Sequence, residues 1–169
     1  MTPPLPEPTG PAQSRAEVFL SYLDHFRSAV LGMLEGLTEA QLRSSVVPSG
    51  WTPLELAKHL THVERRWLVW GFEGRPVAEP WGDARDGRWH VPLEEDPADV
   101  VRALQAQGEV TRSVVRAHAL SDLGRPSERW EGAPPPPLER VLFHLLQEYA
   151  RHAGHLDIAR ELVDGEVGE

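Results

Sequence analysis

Four ionisable side chains recur at helical intervals near the C-terminal end of the chain. They are His144, Glu148, His152 and His155, at spacings of four, four and three residues. A helix turns by about 100° per residue, so these positions share one face. That face overlaps the apolar face expected to point into the core, where uncompensated ionisable groups are costly. Because imidazole and carboxylate groups are ready ligands of divalent cations, the row predicts a metal site.

A second group of histidines lies in the segment LAKHLTHVERRW, which contains His59 and His62. Two ligands four residues apart on one helix, with a third from a facing helix, make an open three-ligand site. We take His59 as the third ligand and His62, nearly one turn further on, as its substitute if the helix is rotated. Glu64 and Asp157 are candidates for hydrogen bonds to the ligating imidazoles. Spacing alone equally allows a hydrogen-bond network or a solvated polar face.

Several classes of enzyme are excluded by what the sequence lacks. The chain has no cysteine, which excludes disulfides, thiolate metal sites and cysteine nucleophiles. It has no H-E-x-x-H motif, so the corresponding zinc proteases are excluded. It also has no phosphate-binding loop, no dinucleotide glycine pattern and no Ser-His-Asp order.

The composition of the 169-residue chain does not favour a nucleic-acid or membrane partner, and we expect a small-molecule substrate. Asp and Glu number 26 against 17 Lys and Arg, and the formal net charge of −9 argues against broad binding to nucleic acid. No apolar run approaches the roughly 18 residues that a membrane span needs. The N-terminal residues lack the basic and apolar segments of a signal peptide, so we expect a cytoplasmic protein.

Four amphipathic segments and the absence of a strand pattern predict an all-α four-helix bundle. The expected helices run from Ser14 for about 22 residues, from Thr52 to about Gly74, from Asp96 to about Leu120, and from Leu138 to about Gly165. Long loops at 75–96 and 121–137 follow the second and third helices, and a short extra turn begins at Thr38. Residues 1–13 contain five prolines and are expected to form a disordered tail, which leaves 14–165 as the domain.

Three blocks of the sequence resemble the DinB/YfiT-like superfamily. They are SGWTPLELAKHLTHVERRW, the stretch with Trp81 and Trp89 before EEDPADV, and LERVLFHLLQEYARHAGHLDIARELVDG. The last block carries the signature E-x-x-x-H-x-G-H-x-D of an uncharacterised, actinobacterial-type branch, here from Glu148 to Asp157. The resemblance implies a bundle of up-down-down-up topology, often a homodimer, with a divalent metal in a cleft at one end.

The resemblance also implies a set of metal ligands. Better-known members use one histidine of the second helix and an H-x-x-x-H pair of the last helix, which correspond here to His59, Glu148 and His152. Glu148 departs from the family pattern, but a carboxylate can ligate Zn²⁺, the metal expected first, as well as Ni²⁺, Fe²⁺ or Mn²⁺. The remaining candidates, as alternative ligands or as hydrogen-bond partners of ligands, are His62, Glu64, His144 and His155.

Characterised relatives include thiol-dependent transferases and isomerases that act with mycothiol, bacillithiol or glutathione. The resemblance therefore implies a metal-dependent thiol S-transferase of detoxification or stress response, with a low-molecular-weight thiol as cofactor. In such a site the metal lowers the pKa of the thiol and leaves a nucleophile at neutral pH. A metal-dependent hydrolase is equally consistent with the ligands. The alternative from another class is a non-catalytic bundle that has lost its metal and binds a small ligand.

Overall fold

The computed structural model describes residues 5–11 and 14–167, and most of this part is helical, in agreement with the all-α prediction. The helices are α1 (Arg15–Leu34), α2 (Glu39–Leu42), α3 (Pro53–Glu64), α4 (Pro97–Ala117) and α5 (Leu138–Asp164). Within the described ranges, no helix is long and apolar enough to cross a membrane.

The helices begin and end at the residues that the sequence marks as caps. Ser14 and Asp96 each accept a backbone hydrogen bond from the first turn of α1 and α4. Thr52 and Glu55 bond reciprocally at the start of α3, with a proline as its first residue. Gly165 adopts a left-handed conformation, with φ of 79°, and ends α5. These four predicted boundaries are therefore confirmed.

The predicted second helix is α-helical only in its first half. From Arg65 to Phe72 it continues as a π-helix, here called the π segment, in which Glu73 N donates to Leu68 O at 2.9 Å. Apolar spacing does not reveal this change, because the same residues fit an α-helix. Within this segment Gly71 lies so close to the indole of Trp130 that a Cβ there would meet the ring at 2.8 Å, so a larger residue would not fit. Wide turns of this kind occur frequently at functional sites.

The loop after the π segment contains a small hairpin, so the expectation of no strand was wrong at this point. Strands β1 (Ala84–Arg85) and β2 (Arg88–Trp89) pair antiparallel. Asp86 and Gly87 form the turn with φ of 52° and 76°. An Asp-Gly pair is favoured in such two-residue turns, so the sequence carried the signal. The hairpin fixes Trp89 in a loop that is otherwise irregular.

The four long helices pack around one apolar core. Helix α1 packs against α4 and α5, and α3 packs against the same two helices. The largest fully buried apolar side chains are Leu23, Leu54, Leu56, Leu60, Leu68, Leu104, Leu138, Leu142, Leu145, Tyr149 and Leu156.

Glu64 is a buried carboxylate that connects three helices to the end of α3. It is 0% exposed, and Arg27 of α1 donates to it at 2.9 Å. Thr111 of α4 and Tyr149 of α5 donate their hydroxyl groups to the same carboxylate. Burial, followed by the Glu64 charge, raises the pKa of Tyr149 well above its ordinary value, so the phenol remains a donor. The hydrogen bonds of Glu64 thus go to the core, and none of these partners is a histidine of the predicted site.

The predicted N-terminal tail lies partly outside the described residues, which omit 1–4 and 12–13. Within 5–11, Gly10 N donates to Glu7 O at 2.9 Å and closes a turn. The hydroxyl of Tyr22 on α1 donates to Pro6 O at 2.9 Å.

Candidate metal centre

His59, Glu148 and His152 meet between α3 and α5. Each offers one ligand atom, and the three atoms lie within 4.8 Å of one another. His152 is buried, and the other two are partly buried. Because α3 and α5 pack side by side, a ligand of one helix faces a pair spaced by four residues on the other. The structure therefore brings together the three residues of the predicted set, and they could hold a metal ion.

Glu148 lies between two imidazoles of its own helix. Its Oε2 is 3.2 Å from His152 Nε2, and its Oε1 is 3.4 Å from His144 Nε2. The hydrogen bond to His152 outweighs partial burial and lowers the pKa of Glu148. The carboxylate is thus anionic at neutral pH, as a metal ligand must be. His144 contacts the ligand set through this carboxylate, with 37% of its side chain exposed.

Asp83, a residue that the sequence interpretation did not select, orients His59. Its Oδ2 is 2.8 Å from His59 Nδ1, and Arg66 donates to both of its oxygens, at 2.6 and 3.2 Å. Burial would raise the pKa of Asp83, but the hydrogen bonds of His59 and Arg66 lower it to about 2. A metal-ligating histidine typically donates its other ring N–H to a carboxylate in this way. Glu64 and Asp157 were predicted for this role, and Asp83 fills it for His59.

The contact with Asp83 fixes the tautomer that a ligand needs. If Nδ1 of His59 carries the proton and donates it to Asp83, Nε2 retains its lone pair. Burial lowers the pKa of His59 despite the nearby carboxylate, so the ring is neutral at pH 7. His59 therefore presents a free ligand atom at neutral pH.

Tryptophan rings enclose the imidazoles on the loop side. Trp89 of the hairpin stacks on His59 with ring centroids 4.2 Å apart and lies 5.2 Å from His152. Trp51 lies 6.2 Å from Trp89. Trp81 and Trp89 both belong to the long loop at 75–96. The structure places Trp89 against the ligands, whereas Trp81 is 56% exposed and stacks on Arg66.

Comparison with known proteins assigns the family. The family model described as mycothiol-S-transferase matches residues 18–165. The chain belongs to the mycothiol S-transferase family. This match agrees with the DinB-like resemblance found in the sequence. No curated protein matches the chain.

Two further histidines of this mycothiol S-transferase family member flank the three-residue set. His155 has its ring centroid 5.5 Å from that of His152 and 6.4 Å from that of Trp51. His62 Nδ1 is 3.9 Å from Asp83 and is buried without a hydrogen-bond partner among the described residues. Both histidines therefore lie beside residues of the site, but neither belongs to the group within 4.8 Å.

Asp83→Asn is expected to weaken metal binding about 10- to 100-fold, because the amide orients His59 less well and, lacking the negative charge, does less to make the ligating nitrogen basic. Competition with a chromogenic chelator measures the affinity. Asp86→Asn removes the same charge from the exposed hairpin turn, so it serves as the control and should bind as the unaltered protein does. An unchanged affinity in folded Asp83→Asn protein contradicts the assigned role.

Proposed function

We propose that this protein is a metal-dependent thiol S-transferase acting on a small molecule, with His59, Glu148 and His152 as the metal ligands. The observation that carries the proposal is the convergence of these three side chains within 4.8 Å. Membership in the mycothiol S-transferase family supports the reaction class. The specific thiol and its acceptor are left open by the residues.

The donor set fits a divalent metal. Ligands bound tetrahedrally at about 2.0–2.1 Å lie roughly 3.3 Å apart, and the Glu148 and His152 ligand atoms are 3.2 Å apart. Two imidazoles and one carboxylate suit Zn²⁺ first and Ni²⁺, Fe²⁺ or Mn²⁺ next, and leave a position open. When bound, such a metal supplies a Lewis acid that lowers the pKa of a thiol.

The surrounding residues prepare the site for a thiol. Asp83 holds His59 in one tautomer, and Trp89, itself in contact with Trp51, covers one face of the His59 ring. His144 lies 3.4 Å from Glu148 and is partly open to solvent, so its Nε2 is placed to take the proton that an entering thiol releases.

The proposal extends to the architecture and setting that the family resemblance implies. We propose that residues 14–165 form an up-down-down-up four-helix bundle. It acts as a homodimer in the cytoplasm, in detoxification or stress response. The mutual packing of the long helices supports the bundle. Ile158 and Leu162, about one turn apart on α5, are exposed apolar side chains that offer a contact to a second copy.

A thiol-conjugation assay tests the proposed activity. Mycothiol, bacillithiol and glutathione are offered in turn with an aromatic electrophile to metal-loaded and chelator-treated protein. We expect conjugation with at least one thiol, lost on chelation and restored by the metal. Conjugation that is indifferent to the metal contradicts the proposal. If the metal-loaded protein conjugates no thiol but hydrolyses an ester or amide, the hydrolase alternative is favoured. If it shows neither activity, the non-catalytic ligand-binding bundle is favoured.

A further inference from the structure

Arg129 is a half-buried arginine without an acidic partner. It lies in a 3₁₀ turn (Glu128–Trp130), with Cζ 4.2 Å from the ring centre of Trp67 and 5.9 Å from that of Trp130. Its Nε is excluded from solvent and has no hydrogen-bond acceptor in the described part of the chain. Throughout residues 5–11 and 14–167, no carboxylate oxygen lies within 4.0 Å of this guanidinium.

Three buried arginines each form an ion pair with a carboxylate, whereas Arg129 forms none among the described residues. Arg27 pairs with Glu64, Arg66 with Asp83, and Arg160 with Asp164. Burial, followed by the charge of Arg66, lowers the pKa of Arg129, and the charge of Glu131 raises it by less. A guanidinium held against two indole rings without a carboxylate partner is a favourable partner for an anion, because its planar fork matches a carboxylate in two parallel hydrogen bonds.

Contacts between side-chain rings connect Arg129 to the candidate metal centre. Trp67, on which Arg129 packs, also has its ring centroid 4.2 Å from that of His144. His144 in turn lies 3.4 Å from the Glu148 carboxylate. The π segment carries both Trp67 and Arg66, so the widened helix positions the partner of Arg129 and the partner of Asp83 together. The side chains of Trp67 and His144 therefore lie between Arg129 and Glu148, one of the three candidate metal ligands.

We propose that Arg129 binds a carboxylate group carried by one of the two reactants, and thereby selects acidic substrates. The inference that the carboxylate belongs to a reactant rests on the thiol transfer proposed above. The binding of a carboxylate at Arg129 is independent of that proposal, since it needs neither metal nor turnover.

Chelator-treated full-length protein tests the inference with a matched pair of probes, 3-mercaptopropionate and 3-mercaptopropanamide. The two probes differ only in carboxylate against amide, and tryptophan fluorescence or calorimetry follows their binding. We expect the unaltered protein to bind the acid about tenfold more tightly than the amide, as a charge-assisted pair does. Arg129→Gln should abolish this preference. Arg125→Gln, which removes an exposed charge from the same loop, should retain it.

Arg129 also packs against two tryptophans, so Arg129→Gln could unfold the turn. Arg129→Lys keeps the charge but not the fork, and it should reduce the preference severalfold in protein with an unchanged melting temperature. Equal binding of the two probes by the unaltered protein, or a preference that survives both substitutions, overturns the inference. Failure of conjugation with the preference intact refutes the transferase alone, whereas conjugation without the preference refutes the role of Arg129 alone.

Discussion

His152→Ala is expected to lower the affinity for Zn²⁺ by more than ~100-fold, because it removes the most buried of the three ligands. Glu148→Gln should weaken binding less, since the amide oxygen remains a weak ligand and the two imidazoles are retained. Titration against a competing chelator, on folded protein of verified melting temperature, gives both values.

His155→Ala is the matched control for that experiment. His155 lies on the same helix, less than one turn beyond His152, but outside the group of atoms within 4.8 Å. We expect this variant to bind Zn²⁺ as tightly as the unaltered protein. If His155→Ala loses the metal and Glu148→Gln does not, the ligand set is instead His59, His152 and His155, the alternative left open by the sequence.

Glu64→Ala is expected to destabilise the fold by about 3–5 kcal/mol, the range for removing one partner of a buried ion pair. The substitution leaves the buried Arg27 guanidinium with Asp24 alone and deprives the hydroxyls of Thr111 and Tyr149 of their acceptor. Thermal unfolding should show a melting temperature lower by roughly 10 °C or more. Chemical denaturation gives the free energy of unfolding directly.

Two further variants show whether the Glu64 network or the mere loss of a helical glutamate is responsible. Glu64→Gln keeps an oxygen that can accept from the hydroxyls, so it should lose less stability than Glu64→Ala. Glu161→Ala removes an exposed glutamate of α5 and should change the free energy of unfolding by about 0.5 kcal/mol at most. A Glu64→Ala protein as stable as Glu161→Ala contradicts the network's structural role.

The sequence predicted the helices and the ligand row because both depend on local spacing. A cap residue and a period of three and four are readable within one segment, and so are His144, Glu148 and His152 on one helical face. The choice of His59 needed the family resemblance as well as the spacing. The structure then placed His59 and the pair on α5 side by side.

Asp83 could not be predicted because its role depends on tertiary contacts. It lies 24 residues from His59, in an irregular loop whose path no periodicity indicates. The role expected of Glu64 conflicted with helical geometry, since five residues rotate it by roughly 140° from His59. That angle turns Glu64 toward the core, where the structure finds it. The π segment and the approach of Arg129 to Trp67 likewise depend on which surfaces pack together.

Elemental analysis of the untagged protein, purified without chelators or added metal, shows whether His59, Glu148 and His152 hold a metal ion. We expect about one divalent ion per chain, as for a single three-ligand site. The His152→Ala variant prepared in the same way should contain almost none. A metal-free protein that also fails to take up Zn²⁺, Ni²⁺, Mn²⁺ or Fe²⁺ on reconstitution would contradict metal binding by these residues. The glutamate at position 148, in place of the family's histidine, would then indicate that the site has lost its metal.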